Sequence, residues 1–252
     1  MLLENKTAIV TGGARGIGKA ICHMFCKEGA SIILADIDIF GARKTAEYIS
    51  NHYDRKCIPV KVDISNKEDV KKMVKEAINT FKKIDILVNN AAIFFQELII
   101  DMKEEQWEKI MDVNLKGTFL CSQAVAQQML KQKSGKIISI SSCTAKKPTL
   151  KEGAYAASKA GIIGFNRVLA AELGPYGINC NVILPGAIDT EMIRSTFLTT
   201  PEIEKQWIEK TVLKRLGKPE DVAKVALFLA SNLSDHITGE GIVISAGEMM
   251  SQ

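Results

Sequence analysis

Short apolar runs rich in isoleucine and valine alternate along the chain with longer amphipathic stretches. The short runs are apolar at consecutive positions, which is typical of parallel strands that are buried on both faces. The longer stretches repeat their apolar residues at helical spacing. The pattern predicts strands over residues 6–12, 31–36, 57–62, 84–89, 135–141, 177–184 and 241–245, and helices over 16–28, 40–51, 66–81, 103–111, 114–132, 153–174, 202–212 and 219–231.

This alternation predicts an α/β fold in which right-handed βαβ units build a doubly wound, seven-stranded parallel sheet. Helices on both faces would make it a three-layer α/β/α sandwich. No linker or repeat interrupts the pattern, so we expect one domain over residues 1–252. One segment, 187–217, leaves the sixth strand without a strand following directly. Because ligands bind beyond the carboxyl ends of such strands, we interpret it as a substrate lid. A surface helical hairpin is the alternative.

Composition narrows the function classes. The chain has 252 residues, of which 46% are hydrophobic and 25% charged, as in ordinary soluble domains. A net charge of +4 with scattered lysines argues against nucleic-acid binding. The six cysteines form no CxxC pair, which favours reduced buried thiols and no metal site. No apolar run reaches the roughly 18 residues of a membrane span, and no secretory signal is evident, so we expect a cytoplasmic protein without membrane contact.

The stretch "TGGARGIG" follows the first predicted strand and opens the first helix. Gly12, Gly16 and Gly18 let the backbone turn sharply and approach a pyrophosphate closely. The helix start at Gly16 and Ile17 offers free amides and a positive dipole end. The stretch therefore predicts a dinucleotide-binding loop. A tight strand–helix turn without a ligand is the alternative, since the spacing is not GxGxxG.

Asp36 ends the second predicted strand, 18 residues after Gly18. A carboxylate at this place accepts hydrogen bonds from adenosine ribose hydroxyls and repels a 2′-phosphate. It therefore favours NAD over NADP. Arg15, within the glycine loop, is a counter-signal because a guanidinium binds phosphate. As an alternative, Asp36 caps the helix that starts near Asp38.

Two further strand ends carry candidate adenosine contacts. Asp63 follows the third strand, where it can accept from an adenine amino group; alternatively it caps the helix that begins near Asn66. The small residues of "NNAA" at 89–92 would let the backbone pack against the adenosine half of the cofactor. Alternatively, Asn89 only holds neighbouring strands together.

Tyr155 and Lys159 stand four residues apart in a predicted helix and so share one face. A tyrosine has a pKa near ~10, and a neighbouring ammonium favours its phenolate. A bound oxidised nicotinamide would add a second positive charge. Tyr155 is therefore the candidate general acid/base. On its own, a YxxxK pair is more often surface decoration.

Ser141 and Ser142 end the fifth strand, and Ser142 lies 13 residues before Tyr155. We choose Ser142 as the hydroxyl that binds the substrate oxygen beside the tyrosine; alternatively both serines satisfy turn amides. Asn114 stands where a helix would be interrupted, and the break would expose a carbonyl to a water that reaches Lys159. Alternatively, Asn114 is a cap between the two predicted helices.

Together these residues resemble the short-chain dehydrogenase/reductase family over nearly the whole chain. The matching motifs are TGxxxGxG at 11–18, NNA at 89–91, Asn114, Ser142, YxxxK at 155–159 and PG at 185–186. One departure is Ala92, where the family usually has glycine. The resemblance implies a Rossmann-type sheet, hydride transfer between a nicotinamide and a secondary alcohol or ketone, and catalytic Asn114, Ser142, Tyr155 and Lys159. The cofactor-binding residues predicted in all are Gly12, Arg15, Gly16, Ile17, Gly18, Asp36, Asp63, Ile64, Asn90, Ala91, Tyr155, Lys159, Pro185, Gly186, Ile188 and Thr190.

The substrate contacts are predicted from residues near the reacting centre. Aromatic and methionine side chains favour an apolar-leaning pocket, although Glu152 and Gln96 suit the hydroxyls of a polyol or sugar. The predicted contacts are Ser142, Phe94, Thr144, Glu152 and Met192, and further candidates are Phe95, Cys143, Trp207, Met249 and Met250.

We therefore expect an NAD-dependent oxidoreductase acting on a small or medium secondary alcohol, a sugar alcohol or a hydroxysteroid. The first alternative is a 3-oxoacyl-[acyl-carrier-protein] reductase using NADP; Asp36 counts against it, as does Tyr176, which stands where such relatives commonly carry a basic residue. The second is a nicotinamide-nucleotide-sensing regulator that catalyses nothing. The resemblance also implies a homotetramer.

Overall fold

The computed structural model describes residues 1–250, and its seven strands form one parallel sheet. The spatial order of the strands is β3-β2-β1-β4-β5-β6-β7, so the winding direction reverses between β1 and β4. The prediction of a doubly wound, seven-stranded parallel sheet is confirmed. The strands are β1 Thr7–Thr11, β2 Ser31–Asp36, β3 Cys57–Lys61, β4 Ile86–Asn89, β5 Gly135–Ile140, β6 Ile178–Pro185 and β7 Gly241–Ile244.

Helices cover both faces of the sheet, and the side chains of β1 show how the two cores divide. Val10 packs into the core beneath α1, α2 and α9, whereas its neighbour Ile9 packs into the core beneath α3, α5 and α6. This alternation follows from the two-residue period of a strand. The helices are α1 Gly16–Lys27, α2 Ile39–His52, α3 Lys67–Phe81, α4 Glu104–Ile110, α5 Gly117–Gln132, α6 Gly153–Leu173, α7 Glu191–Thr196, α8 Pro201–Glu209 and α9 Pro219–Ala230.

The helix containing Asn114 differs from the prediction. Instead of a break with a cap, a π-helical segment, Met111–Lys116, joins α4 to α5, and Ile110, Met111, Lys116 and Gly117 all keep right-handed helical backbone angles. The prediction of a helix break at Asn114 was therefore wrong, because the helix continues through a π-helical segment. A π-turn inserts one residue without ending a helix, so sequence spacing alone could not distinguish it from a break.

The segment 187–217 contains one helix more than predicted, α7, which Thr190 caps by accepting from the Ile193 amide. Between α7 and α8 the segment has a small core of its own. Its ends meet where Ile188 pairs with Gly217 in an isolated bridge. The core consists of Ala187, Leu198 and Leu216, with Ile193, Trp207 and Ile208 packed against them.

Other features bear on the expected surroundings of the protein. Among residues 1–250, no helix has both the length and the apolarity for a membrane crossing. Over the same residues, no group of three or more His, Cys, Asp or Glu side chains is placed to hold a metal ion. All six cysteines are buried free thiols.

Candidate active site

A cavity of about 990 Å³ opens at the carboxyl ends of β1, β4, β5 and β6. Every predicted substrate contact lines it, and so does every predicted cofactor residue except Gly18. Asn114 is fully buried behind the wall. The further candidates Phe95, Cys143, Trp207 and Met249 also line the cavity, whereas Met250 borders a separate cavity and Gln96 lines neither.

The glycine loop is shaped by close backbone contacts. Gly12 and Gly16 have φ of +66° and +55°, in the left-handed region that favours glycine. A Cβ on Gly12 would lie 2.8 Å from the Ala91 Cα, and one on Gly18 would overlap the Gly12 carbonyl oxygen. Gly18 therefore allows α1 to pack closely against the end of β1 and does not line the cavity. No side chain caps the first amides of α1, so they are free to bind an anion.

Asn90 fastens this loop to the end of β4. Its Nδ2 donates to the carbonyl oxygens of Thr11, at 2.9 Å, and of Gly12, at 3.0 Å. The Thr11 hydroxyl in turn accepts from the amides of Asn90 and Ala91. Asn89 has a different task, because it is buried and donates to Ser122 and Ser139 within the sheet.

Asp36 is held at the mouth of the glycine loop by two main-chain amides. Its Oδ2 accepts from Ala14 and its Oδ1 from Asp38, each at 3.0 Å. Asp38 itself caps α2 by accepting from Gly41, so the alternative role of Asp36 as that cap is wrong. Arg15 is turned to the opposite wall, where its Nη1 lies 2.9 Å from the Glu191 Oε2 on α7.

The adenosine wall continues through Asp63 and Ile64. Asp63 accepts from the amide and hydroxyl of Ser65, at 2.9 and 2.6 Å. The cap of α3 is Asn66, which accepts from Glu68 and Asp69, so the alternative capping role of Asp63 is also wrong.

Tyr155 and Lys159 lie on one face of α6 beside the end of β5. Lys159 is 2% exposed, and its Nζ donates to the Ile140 carbonyl oxygen at 2.8 Å. The same Nζ stands 5.6 Å from the centroid of the Tyr155 ring. The predicted pair is therefore brought together inside the cavity wall.

Burial dominates the electrostatics of this pair. Although the Tyr155 ring borders the cavity, the surrounding protein withdraws it from bulk water, and this raises its pKa to about 12; the Ser142 hydroxyl opposes that rise and Glu152 adds to it. Burial also lowers the pKa of Lys159 to about 7. The protein groups alone thus do not favour the phenolate, contrary to our expectation from the sequence, because burial raises the pKa of Tyr155 and shifts Lys159 itself toward its neutral form.

The two serines after β5 have separate roles. The Ser141 hydroxyl donates to the Lys159 carbonyl oxygen at 2.8 Å, which ties α6 to the sheet. Ser142 has extended backbone angles and starts the short 3₁₀ turn Cys143–Ala145, where its Oγ accepts from the Thr144 amide. Its hydroxyl faces the Tyr155 phenol, and the hydrogen bond between them lowers the pKa of Tyr155.

Asn114 supports the catalytic helix from behind. Its side chain accepts from the Ile93 amide and donates to the Ile93 carbonyl oxygen and, at 3.2 Å, to the Ser158 Oγ. Ser158 donates to the Tyr155 carbonyl oxygen at 2.8 Å. The main-chain carbonyl of Asn114 accepts from the Thr118 hydroxyl at 2.7 Å, which leaves its second lone pair for another donor, so the water that would reach Lys159 stays a prediction.

Aromatic rings lead from Tyr155 to the segment 187–217. Phe94 packs edge-on against Tyr155 at 4.9 Å between centroids, and Phe197 packs against Phe94 at 5.3 Å and Trp207 at 5.6 Å. Three residues of the site were not predicted from the sequence: Phe197, Ser158 and the cavity-lining Glu248. No motif signals them, since a ring in an unpredicted turn and a serine inside a helix have no distinctive spacing.

The donor set suits a nicotinamide dinucleotide. Free amides at a glycine-lined helix start match a pyrophosphate, and Asp36 matches a ribose diol. The cavity extends from these groups to Tyr155 and Gly186. A Cβ on Gly186 would lie only 3.1 Å from the Ser245 Cα, so the backbone is closely packed at this end of the cavity.

Comparison with known proteins agrees with this geometry. Residues 12–248 match a family model described as enoyl-(acyl carrier protein) reductase. The chain is 39% identical over 246 residues to the 3-oxoacyl-[acyl-carrier-protein] reductase FabG of Chlamydia trachomatis, with 98% of each chain covered. It is 39% identical over 245 residues to the protein of that name from Aquifex aeolicus, covering 97% of this chain and 98% of the relative. The corresponding Thermotoga maritima protein is 38% identical over 251 residues, covering 98% and 99%.

The lowered pKa of Lys159 predicts a pH-dependent stability. Between pH 7 and about 10.5, the unfolded chain holds a proton on this lysine that the folded chain does not. The free energy of unfolding therefore gains up to ~1.4 kcal/mol per pH unit from Lys159 in this window. Lys159→Met has no amine that titrates in this window. We therefore expect the free energy of unfolding of Lys159→Met, minus that of the wild type, to fall between pH 7 and pH 9 when both are measured by urea unfolding.

Lys75→Met, at an exposed position of α3, serves as the control and should differ from the wild type by a constant amount. A difference for Lys159→Met that is equally constant with pH would show that the buried lysine keeps its ordinary pKa.

Proposed function

Because the chain belongs to the short-chain dehydrogenase/reductase family, whose members are NAD(P)-dependent oxidoreductases of CH–OH and keto groups, we propose that it interconverts a ketone and a secondary alcohol with NAD(H). The observation that carries the proposal is the placing of Tyr155, Lys159 and Ser142 around one cavity that also contains the glycine loop.

The cofactor, when bound, supplies or accepts the hydride. Amides at the start of α1 would bind its pyrophosphate, and Asp36 would accept from the ribose hydroxyls. Pro185, Gly186, Ile188 and Thr190 line the same cavity and would contact the nicotinamide half.

Tyr155 handles the proton. With a pKa raised to about 12 by burial, its phenol is protonated at neutral pH and is ready to donate to the oxygen of a ketone as that oxygen gains charge. Ser142 donates a second hydrogen bond to the same oxygen and stabilises its developing negative charge. In the reverse direction, Tyr155 must first lose its own proton to solvent, and its phenolate oxygen then receives the proton of the alcohol.

Two substrate classes fit this chemistry. The relatives are named as 3-oxoacyl-[acyl-carrier-protein] reductases, which supports a 3-oxoacyl thioester as the ketone and favours this class over our initial expectation from the sequence. The second class is a small or medium alcohol, sugar alcohol or hydroxysteroid. The rings of Phe94 and Phe197 beside Tyr155 give the pocket an apolar wall that suits either class.

We further propose that 187–217 acts as a substrate lid and that the enzyme works in the cytoplasm. Phe197 and Trp207 join the lid to Phe94 on the opposite wall. The Arg15–Glu191 pair links the lid to the glycine loop, although an exposed pair contributes little to stability. Six free thiols suit a reducing compartment.

Replacing Tyr155 tests the catalytic assignment. Tyr155→Phe removes the proton donor but keeps the ring that packs on Phe94, so we expect turnover to fall by ~10²–10⁴-fold while NADH binds as before. The measurements are NADH oxidation with a 3-oxobutanoyl thioester and with secondary ketones, and the dissociation constant of NADH by fluorescence titration.

A variant that retained more than about a tenth of the rate would exclude Tyr155 as the acid/base. If the wild-type protein binds NADH but does not oxidise it in the presence of any of these ketones, the result would instead favour a nicotinamide-nucleotide-sensing regulator that catalyses nothing.

The charge of Asp36 predicts the cofactor preference. A 2′-phosphate beside this carboxylate is repelled, and Arg15 is engaged by Glu191, so we expect kcat/KM with NADH to exceed that with NADPH by at least ~10-fold. Asp36→Asn keeps an acceptor for the Ala14 amide but loses the charge. It should therefore lower the ratio of kcat/KM with NADH to kcat/KM with NADPH.

Asp101→Asn, in an exposed turn away from the cavity, should leave this ratio unchanged. An equal or higher kcat/KM with NADPH in the wild type would contradict the assignment to NAD.

We also propose a homotetramer that covers part of α5 and α6. Phe119 and Val168 are 40% and 57% exposed on these helices, and the Phe119–Phe165 ring contact shows that the helices are neighbours there. Light scattering at micromolar concentration should give four times the chain mass, and Val168→Asp should lower it. Phe40→Asp, on exposed α2, should not. A monomer mass for the wild type would contradict the proposal.

A further inference from the structure

Glu152 is a carboxylate that the protein itself leaves without a partner. It lines the cavity, yet the residue is only 4% exposed. Its Oε2 is buried and accepts no hydrogen bond from any described residue. Two other buried oxygens share this lack, the Oδ1 atoms of Asn89 and Asn166, but neither residue lines the cavity.

The backbone fixes Glu152 in this place. Its carbonyl oxygen accepts from the Ala156 amide in the first turn of α6. Glu152 also pairs with Glu97 in an isolated bridge, next to the Glu97 amide that donates to the Lys151 carbonyl oxygen. The side chain therefore enters the cavity from an anchored position.

A buried carboxylate without a partner is costly, since it has lost hydration and gained no compensating bond. Over residues 1–250, no lysine, arginine or histidine approaches Glu152 within ion-pair distance. Lys159, the nearby buried cation, donates instead to Ile140. The missing donor must then come from what occupies the cavity.

The position of Glu152 defines which part of a substrate it meets. Glu152 is the residue immediately before α6 and precedes Tyr155 by three residues, and both residues line the same cavity. Its charge also acts on the Tyr155 phenol. A substrate whose reacting oxygen faces Tyr155 can therefore present a neighbouring carbon to Glu152.

A hydroxyl is the donor that fits best. An ammonium group would meet Lys147 and Lys159 in the same cavity wall, and these basic groups oppose a cationic substrate. A carbonyl oxygen is only an acceptor, so next to a carboxylate it would leave both groups without a donor.

We propose that Glu152 is a specificity-determining residue that binds a hydroxyl on the carbon next to the reacting carbonyl or carbinol carbon. This assignment rests on the proposed hydride transfer at Tyr155. Within the second substrate class, it favours α-hydroxy ketones and vicinal diols over ketones and alcohols that lack the neighbouring hydroxyl.

Two ketones that differ by one hydroxyl test the proposal: 3-hydroxy-2-butanone and 2-butanone, each reduced with NADH. The quantity compared is the ratio of their kcat/KM values in each variant, because any shift in the pKa of Tyr155 affects both ketones alike. Glu152→Met should lower this ratio by at least ~10-fold, and it should raise kcat/KM for 2-butanone because no buried carboxylate is left unpaired. Glu152→Gln, whose amide oxygen still accepts, should fall between.

Glu97→Gln is the matched control, since it makes the same substitution on the bridge partner, which does not line the cavity; its ratio should equal that of the wild type. A ratio in Glu152→Met within twofold of the wild-type value overturns the proposal and would mean that water alone satisfies Glu152. Reduction of a 3-oxobutanoyl thioester but of neither ketone also overturns it and leaves the proposed function intact.

If the wild type reduces none of the three, the proposed function fails, and binding then decides the role of Glu152. Calorimetry with 2,3-butanediol and 2-butanol, added to the protein with NAD, should give at least ~10-fold tighter binding of the diol, and this difference should vanish in Glu152→Met. Equal binding of the two alcohols to the wild type overturns the proposal.

Discussion

The junction between the ends of β1 and β4 is the constraint on which the site depends. The sheet reverses its winding there, so the two following loops diverge and leave a crevice. Asn90 closes the base of that crevice by donating to the carbonyls of Thr11 and Gly12. With these carbonyls occupied, the glycine loop can turn its amides toward the cavity. The approach of Gly12 to Ala91 leaves no room for a side chain at the same place.

Burial is the second constraint, and it acts in opposite directions on the catalytic pair. It raises the pKa of Tyr155 and lowers that of Lys159, so both groups are pushed toward their neutral forms. A neutral phenol is the right state for donating a proton to a ketone. Abstraction of a proton from an alcohol needs more positive charge near Tyr155 than the protein supplies.

The sequence allowed most of the fold to be predicted, because consecutive apolar runs and helical periodicity are direct consequences of burial on a parallel sheet. It also located Tyr155, Ser142 and Asp36, since strand ends converge at one edge. It failed where the outcome depends on tertiary partners. Asn114 marks a π-turn rather than a helix break because its side chain binds Ile93 and Ser158, which lie far away along the chain. Helix α7 has only six residues, too few for a periodic pattern.

Two of the carboxylates that line the cavity, Asp36 and Glu152, show why the family motifs alone do not determine the substrate. Asp36 is complete within the protein, since the amides of Ala14 and Asp38 already hold it in position for a ribose. Glu152 has no such amides, and its Oε2 has no partner among the described residues. A carboxylate whose hydrogen bonds are made within the protein is compatible with many ligands. A carboxylate without such partners weakens the binding of every ligand that offers it no hydrogen-bond donor. We therefore expect discrimination among ketones to rest more on Glu152 than on the residues that define the family.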